Sequence, residues 1–287
     1  MKKRAHPLQF AATLIALLVS LAAAPLHAHQ PQQNPAAQVT VGDVTYLGNE
    51  GLMVTSDDHK ILFDPFFHND FGTLQLVPES IAKAIMSGQK PYDGIEAIFI
   101  SHAHDDHFSA PDVKKFLRAH TQAKLIAPKQ AVAELAKLAD TAGLMSQVIA
   151  VNLHYGDAPW RLCLGDLEIE AVRIPHAGGA DRLDIENLVY RVTINNKVTV
   201  MHLGDADPDS SHFTPFAAHW QRQLTDTAFP PYWFFLSPEG NHIIDHQINA
   251  AHAVGVHVPI KVPSELQTSG KVFFSKPSEQ HAIEHSH

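Results

Sequence analysis

The sequence predicts an α+β sandwich, two mixed β-sheets packed face to face with helices outside. Three observations point there. Short β-prone runs gather in two groups, one in each half of the chain, and helix candidates follow each group. One run, Ala97-Ile98-Phe99-Ile100, is apolar without a break, as expected of a strand buried on both faces. No repeat at solenoid spacing and no low-complexity insert interrupts the pattern.

The elements follow in order. Gln38 to Leu47, Gly51 to Ser56 and Lys60 to Phe63 read as a meander broken at Gly48-Asn49 and Asp57-Asp58. Pro78 to Met86 reads as a helix, with Pro at its start and Gly88 beyond its end. After the buried strand, Ala110-Pro111 opens a helix through Ala119. Lys124 to Ala127 reads as a strand and Lys129 to Ala139 as another helix. In the second half, Trp160 to Leu164, Leu167 to Ile174, Asn187 to Ile194 and Lys197 to Leu203 read as strands, with Asn195-Asn196 as a hairpin turn. Pro215 to Gln223 and Ile243 to Ala251 are helix candidates, and Val254 to Val258 and Lys271 to Phe274 closing strands. The domain is expected over residues 39–276, with 277–287 a polar, His-containing tail.

Ahead of the domain stand Lys2, Lys3 and Arg4, an apolar run from Phe10 to Ala24, and the break Pro25-Leu26-His27-Ala28, the order of a secretory signal peptide. The run is about 15 residues, short of the roughly 20 that span a bilayer. Residues 1–28 are therefore expected to be cleaved, leaving no stable membrane anchor and a protein secreted to the bacterial periplasm. Residues 29–38, rich in Gln and Pro, read as a flexible leader. Removing 28 of 287 residues leaves 259, enough for one large domain. It also removes three positive charges, taking the formal net charge from -9 to -12. So acidic a chain argues against nucleic acid as a partner, because phosphate contacts need clustered Lys and Arg. Cys163 is the one cysteine, so no intramolecular disulfide forms, and its strand-like setting suggests a buried, inert thiol. Nothing in the sequence sets the oligomeric state.

The chemistry gathers at Ile100-Ser101-His102-Ala103-His104-Asp105-Asp106-His107-Phe108. His102 and His104 are two residues apart and share a side of an extended chain. Beyond the following turn, Asp106 and His107 can address a second centre. Imidazole and carboxylate are the donors expected for zinc and similar divalent ions. A solvated, histidine-rich turn is the bland alternative in a chain of 21 His. Its place directly after a buried strand argues for function instead. One segment cannot complete two metal sites. Further donors stand at other strand ends: His176 in Pro175-His176-Ala177-Gly178-Gly179, Asp205 in Leu203-Gly204-Asp205, and His257 before Val258-Pro259.

The order HxHxDH, then His, then Gly-Asp, then a late His resembles the metallo-β-lactamase superfamily. Within it, the ascorbate-6-phosphate lactonase-like hydrolases and N-acyl-phosphatidylethanolamine phospholipase D are the most similar in pattern. Val44-Thr45-Tyr46-Leu47-Gly48 and Ile61-Leu62-Phe63-Asp64-Pro65-Phe66 resemble that branch's first hairpin and Asp-Pro strand end. The resemblance runs from Val41 to Pro259. It implies the αββα sandwich with two divalent ions at one edge, zinc first, manganese or iron as alternatives. His102, His104 and His176 would hold one ion. Asp106, His107 and a late His would hold the other, and Asp205 would bridge. His257 is favoured as the late ligand over His252 and His246. Asp64, Asp105 and His202 are candidates for orienting the ligands from behind. Asp106 would also orient a hydroxide nucleophile.

Four departures qualify the resemblance. Asn49 stands where the branch has His. Pro259-Ile260 is followed by Lys261 where relatives place the late His, which leaves His257 out of register. Cys163 is out of register for the Cys ligand of true β-lactamases, so penicillin hydrolysis is not expected. Diiron oxygen-reducing relatives carry a carboxylate where His104 stands, which weakens an oxidoreductase reading.

The expected function is metal-dependent hydrolysis of a small-molecule ester, lactone, amide or phosphodiester. Two alternatives remain, a periplasmic metal-binding protein without turnover and a diiron oxidoreductase. Phe66-Phe67 and Pro230-Pro231-Tyr232-Trp233-Phe234-Phe235 could wall an apolar pocket, and burial in the core explains them equally well.

Overall fold

The computed structural model describes residues 39–285, so the signal-peptide stretch and the leader to Gln38 lie outside the described residues. The strands in chain order are β1 (Val39–Gly48), β2 (Gly51–Ser56), β3 (His59–Phe63), β4 (Ala97–Phe99), β5 (Lys124–Pro128) and β6 (Val148–Val151). The second half adds β7 (Trp160–Leu164), β8 (Leu167–Arg173), β9 (Leu188–Ile194), β10 (Val198–His202), β11 (Thr225–Phe229), β12 (Ala250–Ala253) and β13 (Gln280–His285). They form a seven-stranded sheet ordered β13-β1-β2-β3-β4-β5-β6 and a six-stranded sheet ordered β12-β11-β10-β9-β8-β7. Three helices of eight to ten residues cover the first sheet: α1 (Glu79–Ser87), α2 (Ala110–Ala119) and α3 (Lys129–Ala136).

The two-residue period of a strand separates the layers. In β3 and β4, Ile61, Phe63, Ala97 and Phe99 face inward, meeting Ile169, Tyr190, Val192 and Phe229 of the second sheet. Leu62 and Ile98 point the other way, onto Ile85, Val113 and Phe116 of the helices. Both faces of β4 are buried, which is why its sequence is apolar without alternation. On the far side of the second sheet, Val189, Met201 and Ala228 pack against Phe213, Trp220 and Ile243. The four layers are those of an αββα sandwich.

Strand direction places the functional edge. β3, β4, β5 and β6 pair in parallel. In the second sheet β10, β11 and β12 are parallel, and β8 shares their direction because both β8 and β10 run antiparallel to β9. Each parallel set therefore sends its following loops off one end of its sheet, where ligands of such sheets bind.

Several expectations change. Residues 277–285 of the expected tail are not a tail, because β13 pairs with β1 and buries Ile283 completely, and 286–287 lie outside the described residues. His285 also bonds Asp226 of the second sheet through Nδ1, at 2.8 Å. The polar residues of β13 suggested a tail, yet on an edge strand only one face must be apolar. β6 and β11 are strands the pattern did not single out. β11 reads Thr-Asp-Thr-Ala-Phe and is buried nonetheless, since Asp226 accepts Thr199 N at 2.7 Å as well as His285. The expected helix over Ile243 to Ala251 is one π turn, Ile243–Gln247, followed by β12. Val254 to Val258 and Lys271 to Phe274 meet only at the single bridge Gly255–Phe273 and are not ladder strands. Cys163 is exposed rather than buried, because β7 is the edge of its sheet and Cys163 takes the outward positions of the pleat.

Ile283 discriminates a structural strand from a tail. An Ile283→Ala variant is expected to lose about 2–4 kcal/mol of stability in urea denaturation followed by circular dichroism. An unchanged midpoint would return residues 277–287 to the status of a tail.

Candidate metal centre

The segment after β4 turns sharply, and its side chains divide between two clusters. Ligand-type atoms of His102, His104 and His176 converge in one; those of Asp106, His107, Asp205 and His257 converge in the other. All seven stand on loops that leave β4, β8, β10 and β12 at the parallel-strand ends. The structure thus brings together the seven residues that the sequence favoured as direct ligands, without the rival late candidates His252 and His246.

In the first cluster His102 Nε2 and His104 Nδ1 lie 3.0 Å apart, and the His176 ring centroid is 4.9 and 4.7 Å from theirs. In the second, His107 Nε2 is 3.4 Å from Asp106 Oδ2, and His257 Nε2 is 3.5 Å from the same oxygen. Asp205 faces both clusters. Its Oδ1 lies 3.3 Å from His107 Nε2 and 3.4 Å from His257 Nε2, while its Oδ2 lies 3.3 Å from His176 Nε2.

The ring nitrogens are oriented from behind, as metal ligands require. His107 Nδ1 donates to Asp64 Oδ2 at 3.0 Å, and His176 Nδ1 donates to Ala177 O at 2.6 Å. His102 Nδ1 donates to Ser101 Oγ at 3.0 Å, and that hydroxyl donates on to Asp64 Oδ2 at 2.5 Å. Each bond occupies one nitrogen and turns the other toward its cluster. His107 Nε2, His176 Nε2, His257 Nε2 and Asp205 Oδ1 are buried without a hydrogen-bond partner. Orphaned buried polar atoms are costly and call for an explanation. Donors around a tetrahedral divalent ion at about 2.0–2.1 Å stand roughly 3.3–3.4 Å apart, close to the spacing in the second cluster. The residues present fit a divalent metal.

Opposite charges polarise the second cluster in the absence of a cation. Burial pulls His257 down, but the charge of Asp205 and the adjacent Asp106 carboxylate outweigh it and lift it to about 10. His107 is likewise opposed by burial and raised well above the usual range by Asp205, Asp106 and Asp64. Asp205 goes far below the carboxylate range, because His257 and His107 overcome its burial. In the first cluster burial, then the charge of His107, pushes His102 well below its usual value. Burial and then His176 lower His104. That cluster presents neutral imidazoles, the form that binds metal.

The scaffold behind the clusters is buried and polar. Asp64 also accepts Ser101 N at 2.8 Å, so it grips the start of the His-rich loop. Asn49 donates from Nδ2 to Asp106 O at 3.0 Å, and its backbone O accepts His257 N at 2.9 Å. Its backbone thus ties the two halves of the second cluster. Gly204 has φ +54°, and a Cβ there would stand 2.4 Å from Asn187 Oδ1 and 2.7 Å from Ser101 Cβ. Only glycine permits this approach. Asn187 Oδ1 in turn accepts Asp205 N at 3.1 Å.

Two expected supporting residues act differently from expectation. Asp105 is exposed and points away from the ligands, accepting Asn69 Nδ2 at 3.0 Å, because the turn needed to aim Asp106 inward sends its neighbour outward. His202 touches no candidate ligand through a hydrogen bond. It stacks on Phe63 at 4.8 Å and donates to Glu50 O at 3.1 Å, bracing the hairpin backbone. His257 is not on a strand: its backbone is left-handed, φ +58°, and its ring lies in the second cluster. His246 is exposed, and His252 lies in β12 beside Thr227; neither joins a cluster. Sequence reasoning missed Glu50 and Asn187. Glu50 is fully buried, 4.0 Å from His107 Nδ1, and grouped with Asp64 and His202. Burial, then the Asp205 charge, raises its pKa well above the usual range. A lone acid inside the apolar hairpin Leu47-Gly48-Asn49-Glu50-Gly51-Leu52 was the available signal.

The chain is similar to proteins of known family. Protein Rv0786c of Mycobacterium tuberculosis is 27% identical over 186 residues, 62% of this chain and 73% of that protein. The structure resembles Igni18, a metallo hydrolase from Ignicoccus hospitalis, with TM-score 0.56 and 18% identity over 85% of this chain and 99% of that one. It also resembles a possible metal-dependent hydrolase from Veillonella parvula, with TM-score 0.54 and 12% identity over 85% of this chain and 100% of that one. The family model described as "Beta-lactamase superfamily domain" matches residues 43–218, a span that holds β2 through β10 and six of the seven clustered residues. With that match and the αββα sandwich around the two clusters, the chain belongs to the metallo-β-lactamase superfamily.

Proposed function

We propose that the protein is a dinuclear metal-dependent hydrolase that cleaves an ester, lactone, amide or phosphodiester in a small molecule. The observation that carries this reading is Asp205, whose two oxygens address the two clusters separately. His102, His104 and His176 would hold one ion, and Asp106, His107 and His257 the other, with Asp205 shared. The nitrogen-rich set without thiolate suits zinc, with manganese or iron as alternatives. When bound, such ions supply a nucleophilic water at neutral pH and polarise the scissile carbonyl or phosphoryl group.

The chain's own residues do the remainder. Asp106 Oδ2, flanked by His107 and His257, is placed to accept a hydrogen bond from the attacking water and hold it in line. Asp64 keeps the His107 Nδ1 proton in place, so Nε2 retains its lone pair for metal. No Ser or Cys nucleophile is required. A metal-carrying protein without turnover has no need of carboxylates at Asp106 and Asp205, which favours hydrolysis.

Export is part of the same reading and is supported by the residue pattern from Lys2 to Ala28. The mature protein is expected to begin near His29 in a periplasmic fraction. Mass spectrometry of an intact N-terminus on membrane-bound protein would refute it.

Asp205→Asn keeps size and removes the charge that offsets two adjacent cations. This variant is expected to retain its circular dichroism spectrum, hold one metal weakly, and hydrolyse at least about a hundredfold more slowly, roughly 2.7 kcal/mol of barrier. Elemental analysis and kcat on a substrate from a screen of p-nitrophenyl esters, lactones and bis-p-nitrophenyl phosphate check it. Full occupancy with normal turnover would end the dinuclear reading.

The late ligand is tested by a pair of variants. His257→Ala is expected to release one ion per chain and abolish most activity, while His252→Ala does neither. Equal tolerance of both changes would remove His257 from the site.

A further inference from the structure

An aromatic wall stands beside the clusters. Trp233 packs edge-on against the His257 ring, with centroids 5.1 Å apart at 66°. Its Nε1 donates to Ala206 O at 3.1 Å, one residue beyond Asp205. Tyr232 N donates to Val256 O at 2.9 Å, which lays the backbone before Trp233 along the chain leading to His257. The indole is therefore pinned between the Asp205 loop and the His257 loop. Phe234 and Phe235 beside it are buried in the core beneath the second sheet, whereas Trp233 is only half-buried.

The distribution of exposed apolar side chains is a second, independent observation. Phe71, Leu76, Tyr155, Leu183, Leu236 and Ile260 are exposed, with Phe71 at 63% and Ile260 at 58%. All six lie on loops that follow β3, β6, β8, β11 and β12, strands that run parallel to those carrying the clusters or are among them. Among the described residues, the other large exposed apolar side chains are Val39, Met145 and Val272. Two bonds join these loops around the edge. Ile260 N donates to Thr73 O at 2.8 Å, and Tyr155 Oη donates to Leu183 O at 2.9 Å. Scattered exposed apolar residues are ordinary on a surface. Their concentration on one functional edge marks a binding surface.

We propose that Trp233 is the specificity-determining wall of the substrate pocket, and that the substrate carries an apolar alkyl, acyl or aryl group next to its scissile bond. This rests on the hydrolase reading only for where the scissile group sits. An apolar chain attached to a head group held at the clusters runs over the Trp233 face toward Leu236 and Ile260. The indole supplies a large, rigid apolar surface whose polar N–H is already satisfied. Each methylene covered strengthens binding about fourfold.

The test is affinity rather than turnover, so failure to hydrolyse any ester leaves it readable. A series of n-alkylphosphonates from methyl to hexyl is titrated calorimetrically into the zinc-loaded full chain. In the wild type the Kd is expected to fall about three- to fourfold per added carbon over the first several carbons. Trp233→Ala, compared with the wild type at matched zinc content, should lose most of the chain-length slope whatever its affinity for methylphosphonate. Trp233→Phe should restore much of it. The surface change Leu236→Ser, which leaves the core intact, should flatten only the longer members. A merely structural role for Trp233 would weaken every member equally. A flat wild-type series, or an unchanged slope in Trp233→Ala, overturns the proposal.

Discussion

Asp64 sits at the end of β3 with its carboxylate wholly buried, accepting Ser101 N, Ser101 Oγ and His107 Nδ1. A buried carboxylate is tolerable only when donors replace the water it gave up. Here those donors belong to the His-rich loop. Satisfying Asp64 therefore fixes where that loop begins, where it turns back and which nitrogen of His107 is turned toward Asp205. His102 joins the same chain of bonds through Ser101 Oγ. One carboxylate thus orients a ligand-type residue in each cluster.

The second sheet reaches the same edge through equally buried fasteners. Asn187 receives Asp205 N on its side-chain oxygen, and Gly204 lets the backbone pass close to Ser101. Asn49 spans from Asp106 to His257. Phe63 of the first sheet and His202 of the second stack in parallel planes directly beneath. The clusters consequently lie where two rigid layers meet. Rigid support of this kind keeps donors in place before any ligand arrives.

Electrostatics divides the edge into two unlike halves. Burial and neighbouring imidazoles lower His102 and His104, while Asp205 and Asp106 raise His107 and His257. A cation entering the second half displaces protons from ligands already aimed at it, so metal binding there is coupled to pH. The apolar rim and the pinned Trp233 surround this polar centre, combining a few convergent polar groups with an apolar wall, as small-molecule sites commonly do.

Much of this was written locally in the chain. The unbroken apolar run of β4 and the Pro and Gly bounding α1 report their own elements, because such signals depend on neighbours in sequence. His102, His104, Asp106 and His107 were legible for the same reason, lying within six residues after a buried strand. What the sequence could not express was partnership across distance. The polar β11 and β13 become strands because Asp226 finds Thr199 and His285. Glu50 matters through His107 and His202 on distant loops, and Asn187 through Asp205, 18 residues further on. His257 joins the site through a left-handed backbone that no apolar pattern announces. Local spacing determines which side chains can share a face, while only the closure of two sheets on one another decides which faces meet.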